Sequence, residues 1–297
     1  MLVQKSLLLL ATLLSPLGAL AAPVEVSDLD GRATSFNYLS GFRTTTSGSS
    51  SLSKVTLANA LQASVGKAGG SITKRTPDGS QALAVTYKAG VAASASGMSY
   101  YTNWSDDIKN AKEIVLTYKV YFAPGFDWVL GGKMIGMYGG SSGFYTCSGG
   151  SQVGRDTCYT IRLMWRANGA MEVYTYLPMT DANKASCEAS GSGAVCNNDA
   201  YGLSFGRGNG YWSTGRWQTV QQHYRLNDVG QNNGFIKLIV DDQEVISAYN
   251  LEIRENSAAG FKGTFVSTFF GGHESEWAPS TEQHAFYKGF SVGVVGY

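Results

Sequence analysis

The ten residues EIVLTYKVYF, positions 113–122, carry the clearest periodic pattern in the chain and decide its fold class. Every second position from 114 onward is apolar or aromatic: Ile114, Leu116, Tyr118, Val120 and Phe122. Because successive side chains of a β-strand point to opposite faces, these five side chains share one face. The stretch therefore predicts a long strand with one face packed on a core.

Seven further segments resemble this strand in composition, being rich in β-branched and aromatic residues and bounded by Gly, Asn, Asp or Ser. They are Ala82–Tyr87, Tyr159–Trp165, Met171–Leu177, Trp217–Leu226, Phe235–Val240, Phe265–Phe270 and Phe286–Val294. Helical signals are poor. Many strands and few helices predict an all-β protein, a jelly roll or two-sheet antiparallel β-sandwich of the concanavalin-like kind.

The N-terminus predicts a secreted, extracellular protein. Residues 1–21 have a signal peptide's three parts: the positive Lys5, an apolar run at Ser6–Leu14 and small residues at Ala19-Leu20-Ala21. Residues 22–75 are interpreted as a leader or as first strands with loops, and residues 76–297 as the jelly-roll domain. The dibasic pair Lys74-Arg75 is interpreted as two solvated charges rather than a processing site.

The sequence gives no reason to expect two classes of partner, nucleic acids and membranes. The 297 residues include 23 Lys+Arg and 22 Asp+Glu, and no block of like charge stands out, so nucleic-acid binding is not expected. No later apolar run approaches the length that crosses a bilayer, so we expect no membrane partner. We expect a monomer.

Four cysteines, Cys147, Cys158, Cys187 and Cys196, predict two disulfides in a secreted chain. Three pairings are possible, and closeness in sequence favours Cys147–Cys158 and Cys187–Cys196. A zinc site would need a C-x2-C-like spacing, and the sequence has none. Asn103-Trp104-Ser105 is a sequon, so Asn103 is a candidate glycan acceptor.

Common secreted hydrolase signatures are absent. The sequence has neither a G-x-S-x-G elbow nor an H-E-x-x-H zinc helix. A glycoside hydrolase needs two carboxylates, and Glu274 with Glu276 is the nearest candidate pair. The flanking Gly271-Gly272 and Trp277-Ala278-Pro279 indicate a turn there rather than a strand.

Unusual polar residues concentrate between positions 128 and 178. Lys133 lies among glycines and apolar residues, where burial of an unpaired ammonium is costly, although a surface lysine on a Gly-rich loop would look the same. Thr160, Arg162, Met164 and Arg166 share one face of a predicted strand, and Tyr174 and Tyr176 share one face of the next.

Whether these two faces coincide depends on the turn between the strands. A two-residue loop, Asn168-Gly169, would put Arg162 opposite Thr175 and the tyrosines on the other face. A three-residue loop, 167–169, would put Arg162 opposite Tyr174; a type I turn followed by glycine in the left-handed region is standard for such a loop. The sequence alone leaves both registers open.

At these residues the chain resembles family 14 of the polysaccharide lyases, in particular its secreted members of fungal type. The resemblance rests on four motifs: G-G-K-x-x-G at 131–136, T/S-x-R at Thr160 and Arg162, Y-x-Y at Tyr174 and Tyr176, and F-F-G-G-x-x-x-x-W-A-P at 269–279. It covers roughly Ala82 to the C-terminus. The resemblance implies a β-jelly roll that cleaves alginate or glucuronan.

The resemblance further implies that Lys133, Arg162, Tyr174 and Tyr176 form the active centre, with Thr160 where family members often carry Ser. The chemistry is consistent with this. Cations beside a uronate carboxylate stabilise the enolate-like intermediate that forms when the C5 proton leaves, and Arg can bind that carboxylate bidentately. A tyrosine can remove the proton and protonate the departing O4; we favour Tyr176.

Further candidates for binding the sugar chain are Trp128, Tyr138, Arg166, His273 and Trp277, although the two tryptophans suit core packing equally well. No metal or cofactor is expected, and the expected partner is an acidic polysaccharide.

Two other functions remain open at the level of sequence. A lectin-like carbohydrate-binding protein could share this scaffold, and a glycoside hydrolase could use Glu274 and Glu276. Only a lyase would release unsaturated uronates, which absorb in the ultraviolet. The preferred uronate polymer and endo or exo action also stay open.

Overall fold

The computed structural model describes residues 36, 38–43, 63–65, 71–73, 76, 78–79, 82–141, 147–148, 150, 153–196 and 201–297. The predicted signal peptide and the Lys74-Arg75 pair lie outside the described residues. Within this part of the chain the strands are β1 (Ser40–Arg43), β2 (Ala63–Val65), β3 (Ser71–Thr73), β4 (Ala82–Tyr87), β5 (Met98–Thr102), β6 (Glu113–Phe122), β7 (Gly131–Lys133), β8 (Gly136–Gly140), β9 (Cys158–Arg166), β10 (Met171–Tyr176), β11 (Leu203–Phe205), β12 (Trp217–Arg225), β13 (Gly234–Val240), β14 (Gln243–Leu251), β15 (Gly260–Phe270) and β16 (Gln283–Gly296). The helices are α1 (Asp106–Lys109) and α2 (Asp181–Ala189).

These strands form two eight-stranded antiparallel sheets. The first sheet has the order β14-β13-β12-β6-β16-β4-β3, with β1 paired to β16. The second has the order β11-β10-β9-β7-β15-β5-β2, with β8 paired to both β15 and β9. This is the two-sheet sandwich, a jelly roll, that the strand pattern predicts. None of the helices in the described residues is long and apolar enough to cross a membrane.

The core lies between the two sheets. The alternating side chains of β6 from Ile114 to Phe122 all belong to it, and residues of β9, β10 and β15 meet them from the second sheet. Trp165 of β9, for example, packs edge-on against Phe270 and Tyr87, with ring centroids 5.2 and 5.8 Å apart. Full burial of a large apolar side chain contributes roughly 1.5–3 kcal/mol.

Short elements are where the sequence interpretation was incomplete. Strands β5, β7, β8 and β11 and the helix α2 were not predicted, because none is long enough to show a clear period. In β7 and β8 the glycines that suggest a loop instead permit close packing. A Cβ on Gly132 would lie 2.0 Å from the Trp165 ring, and one on Gly136 would lie 2.1 Å from the Ile161 carbonyl oxygen.

The β9–β10 hairpin has the three-residue loop. Arg162 is opposite Tyr174 and Thr160 is opposite Tyr176, so these side chains share one face of the second sheet. The backbone of the loop differs from the expected type I turn, because Asn168 (φ 60°) as well as Gly169 (φ 78°) adopts the left-handed region. Asn and Gly are the residues that adopt this conformation at least cost.

Candidate active site

The face of the second sheet that points away from the core, here called the site face, gathers most of the polar candidates. Alternation along each strand places Lys133 (β7), Thr160, Arg162, Met164 and Arg166 (β9), and Glu172, Tyr174 and Tyr176 (β10) on this face. Their strand neighbours, such as Leu163, Trp165 and Val173, lie in the core. The period of two along three adjacent strands thus assembles residues that are up to 43 positions apart in the sequence.

Lys133 is half-buried and lies directly over an aromatic ring. Its Nζ is 3.4 Å from the centroid of the Tyr174 ring and 3.0 Å from the Sδ of Met164. The pKa of Lys133 lies well below its ordinary value, chiefly because burial penalises the ammonium and secondly because Arg162 and Arg166 repel it. An anion bound at this point would relieve both effects.

Arg162 is buried, with 4% of its surface exposed. Its Nη2 donates to the Ser267 carbonyl (2.6 Å), and its guanidinium lies 4.4 Å from the centroid of the Phe265 ring. Burial lowers its pKa to about 10, against the opposing effect of nearby tyrosines, so it stays charged at neutral pH. Among the described residues no carboxylate forms an ion pair with Arg162 or Lys133, so this part of the site face has an unneutralised positive charge.

The two tyrosines are oriented by backbone amides. The hydroxyl oxygen of Tyr174 accepts from the Gly202 N–H, and that of Tyr176 accepts from the Gly150 N–H, each at 3.0 Å. The rings are 5.5 Å apart and nearly perpendicular. Burial raises the pKa of Tyr174, and the neighbouring Tyr176 raises it further. Because each oxygen accepts from an amide, each phenolic proton is left to donate elsewhere.

A disulfide-bonded segment lies against Tyr176 and Thr160. Cys147 is bonded to Cys158, and Cys187 to Cys196, which are the two pairings that sequence proximity favoured. The Thr160 hydroxyl donates to the Cys147 carbonyl (2.7 Å). Since Gly150 of the same segment contacts Tyr176, the Cys147–Cys158 bond holds one side of the site.

The remaining sequence candidates lie in varied places. Trp128 packs against Phe122 (4.8 Å between centroids) and belongs with the core rather than the site face. Tyr138 is opposite Thr160 on β8 but fully buried, with its hydroxyl donating to the Thr102 carbonyl (2.9 Å). Arg166 lies on the site face, with its guanidinium 5.9 Å from the centroid of the Tyr174 ring.

His273 and Trp277 lie beyond the end of β15. His273 is exposed, and Trp277 is half-buried against Gly272. Glu274 and Glu276 are exposed in a 3-10 turn, Ser275–Trp277, and not side by side on a strand. The turn that the flanking residues indicated is therefore present. Asn103 follows β5 and is half-buried.

Sequence reasoning missed Glu172, Arg207 and Arg155. Glu172 is fully buried and accepts hydrogen bonds from Arg166 and Arg207. Burial by itself would raise the pKa of Glu172, but the two arginines hold it below its ordinary value. Arg155 lies 5.0 Å from the centroid of the Tyr176 ring. The alternation of Glu172 with Tyr174 was a usable signal; Arg155 and Arg207, which are in loops, carry none.

A polar network crosses the core beneath Lys133. The Ile135 carbonyl accepts from the Tyr118 hydroxyl (3.1 Å) and from the Gln222 Nε2 (3.0 Å), and Gln222 in turn accepts from Tyr224. Both donors to Ile135 come from the first sheet. They fix the link between β7 and β8, two residues after Lys133.

Comparison with known proteins identifies the family. The family model for polysaccharide lyase 14 matches residues 75–290. The crystal structure of the marine PL-14 alginate lyase from Aplysia kurodai superposes with a TM-score of 0.68 at 29% identity, covering 76% of this chain and 87% of that one. No curated protein sequence matches the chain.

More distant structures share the fold. Alginate lyase Aly36B superposes with a TM-score of 0.66 at 20% identity, covering 86% of this chain and 96% of that one. For alginate lyase vAL-1 from Chlorella virus the TM-score is 0.58 at 20% identity, with 77% and 89% covered. Because the family model spans most of the chain and the sandwich agrees with solved relatives, this chain belongs to polysaccharide lyase family 14 and is a polysaccharide lyase.

Proposed function

We propose that this lyase cleaves a β-1,4-linked polyuronate by β-elimination, with Lys133 and Arg162 binding the uronate carboxylate and Tyr176 transferring the proton. The observation that carries the proposal is a pair of buried or half-buried cations that form no ion pair with a carboxylate of the described residues, next to two tyrosine hydroxyls that amides orient. A carboxylate is the ligand that such a pair of cations binds best.

In the proposed reaction, Tyr176 as phenolate removes the C5 proton of the uronate. The electron pair of the C5–H bond moves toward the carboxylate, where Lys133 and Arg162 stabilise the added charge. It then forms the C4–C5 double bond as the C4–O4 bond breaks. The same tyrosine returns its proton to the departing O4, so the enzyme is regenerated and no other reactant is consumed.

Two features favour Tyr176 over Tyr174 in this role. Burial and the neighbouring Tyr176 raise the pKa of Tyr174, which makes it the weaker candidate for the base. Tyr176 lies beside the Arg155 guanidinium, which can stabilise negative charge that develops on its oxygen during proton transfer.

We propose alginate as the first polymer to test, because the relative at 29% identity is an alginate lyase; glucuronan is the second. We also propose that the chain is secreted, because it begins with a signal-peptide pattern and has two disulfides.

The test is to incubate the purified protein with alginate, glucuronan and a neutral β-glucan, and to follow ultraviolet absorbance and new reducing ends together. We expect both signals to rise in step on a polyuronate and neither on the neutral polymer. New reducing ends without absorbance would mean hydrolysis and would refute β-elimination.

A further inference from the structure

One charged cluster on the site face has more positive charge than its own carboxylate neutralises. Glu172, with 0% of its surface exposed, accepts from Arg166 Nε (2.8 Å) and Nη2 (2.6 Å) and also from Arg207 Nε. Arg207 Nη2 donates to the Ser204 hydroxyl (3.2 Å). Two guanidiniums thus share one carboxylate, and the cluster has a net charge of +1.

The surplus charge faces solvent. The carboxylate is fully buried, whereas the side chains of Arg166 and Arg207 are 15% and 33% exposed. Each guanidinium keeps an Nη1 that makes no hydrogen bond to the described residues. Both arginines therefore have donors for an anion from outside, and Glu172 holds their planes in place.

The cluster is near the proposed reaction centre but separate from it. Arg166 is four residues along β9 from Arg162, which is about 13 Å of strand at ~3.3 Å per residue. That distance exceeds a single sugar unit. The loop that carries Arg207 is fixed to the sheet, because the Gly208 N–H donates to the Met171 carbonyl (3.1 Å).

A purely structural role explains the cluster less well. Buried ion pairs contribute little net stability, because desolvation offsets their attraction. Arg166 already satisfies Glu172 bidentately, so a second arginine adds a cation without being needed for that pairing.

We propose that Arg166 and Arg207, held by Glu172, bind the carboxylate of a second uronate of the same chain, in a subsite more than one sugar unit away from the one where cleavage occurs. This inference rests on the proposed function, since it requires a polyanionic substrate. In this arrangement Glu172 is a positioning residue, and Arg207 sets how strongly the enzyme prefers long chains.

The test is Arg207→Gln, assayed on alginate polymer and on oligomers of increasing length at low salt. A hydrogen bond to a charged group contributes about 1.5–3 kcal/mol, so we expect KM on the polymer to rise about tenfold or more. We expect kcat to be unchanged, because Arg207 does not reach the cleaved bond. The defect should shrink on the shortest cleavable oligomers, which cannot fill both subsites.

The matched control is Arg225→Gln. Arg225 is at the end of β12 in the other sheet, is 41% exposed and is near Glu113. Its replacement therefore removes the same charge far from the site. We expect its KM to match the wild type. Equal KM values for wild type and Arg207→Gln, or an equal rise in both arginine variants, would overturn the subsite.

Two further arms separate folding and function from the subsite. If Arg207→Gln lowers the melting temperature sharply, Arg207→Lys is tested instead, because it keeps the charge. Its KM should lie between those of the wild type and Arg207→Gln, whatever its stability. A wild-type KM for Arg207→Lys would overturn the proposal. If the wild type releases no unsaturated product, the proposed function fails. The subsite then stands or falls on whether calorimetry finds weaker alginate binding for Arg207→Gln than for wild type.

Discussion

Lys133 lies in surroundings that oppose its charge, and this affects how the stability of the protein depends on pH. In the free protein its pKa is well below the ordinary 10.5, because of burial and the repulsion of Arg162. The unfolded chain therefore binds more protons than the folded one between the two pKa values, so this group makes the free energy of unfolding rise with pH across that range.

Substrate should reverse this shift. A uronate carboxylate beside Lys133 favours the ammonium, so we expect its pKa to rise on binding and a proton to be taken up wherever the free lysine is partly neutral. Calorimetry of alginate binding to Tyr176→Phe, in buffers of different ionisation enthalpy, measures this uptake. Lys133→Met in the same background should abolish it. Proton release, or no uptake at any pH, would contradict a carboxylate at Lys133.

Tyr176→Phe keeps the ring and removes the group that would carry the proton. We expect turnover to fall by about 10²–10⁴-fold, the usual scale for a general acid–base, with little change in melting temperature. Thr175→Val is the control, because Thr175 faces the core and its buried hydroxyl has no hydrogen-bond partner among the residues that the structure describes. It should leave kinetics unchanged; a near-normal rate for Tyr176→Phe would exclude this tyrosine as the proton carrier.

At the level of elements, the long strands could be predicted and the site register could not. Strand β6 has the bounds that its alternation gives, Glu113–Phe122. Which side chains of the hairpin share a face depends on a single residue of loop length. A register shift of one residue would place Arg162 opposite Thr175 instead of opposite Tyr174. Local sequence does not decide between the two registers, whereas the packing of Met171 and Val173 of β10 into the core does.

The link after β7 provides a test of remote positioning. Gln222→Leu removes one of two donors to the Ile135 carbonyl and leaves Tyr224 without its acceptor. We expect a stability loss of about 1–3 kcal/mol for the unsatisfied groups. A displaced Lys133 should also lower kcat, by tenfold or more if the shift approaches 1 Å.

The control for Gln222→Leu is Gln221→Leu. Gln221 is the preceding residue on β12, and its Oε1 has no hydrogen-bond partner in the described part of the chain. It should change kcat little. If chemical denaturation shows the expected loss for Gln222→Leu while kcat stays normal, the network supports stability alone.

At the scale of the whole molecule, the site joins segments that no local pattern connects. Lys133 comes from β7, Tyr176 from β10, and Gly150 and Arg207 from two loops. The motif resemblance predicted Lys133 and Tyr176 as site residues, but contacts across loops depend on the complete fold. Arg207 meets Glu172 only because β11 pairs with β10 at the edge of the second sheet.

The two disulfides should therefore differ in effect. Each closes a loop with a sequence separation of 11 or 9, and on the chain-entropy estimate each contributes roughly 2–3 kcal/mol. Replacing Cys147 and Cys158 by Ser should lower kcat more than stability explains, because this segment contacts Thr160 and Tyr176. Replacing Cys187 and Cys196 should lower the melting temperature and leave kcat near wild type. Equal kinetic effects would show that the first bond has no special link to the site.

The position of the Cys147–Cys158 bond also bears on how the protein is produced. The bond joins a loop residue to the start of β9 and links no two strands, so we expect a chain made in a reducing host to keep its strand pairing and a normal far-ultraviolet circular dichroism spectrum. In such a preparation the segment that contacts Tyr176 would nevertheless be held less firmly, and turnover would be low. Thiol titration of each batch is then as informative as its purity, and an oxidising host is the appropriate choice for measuring rates.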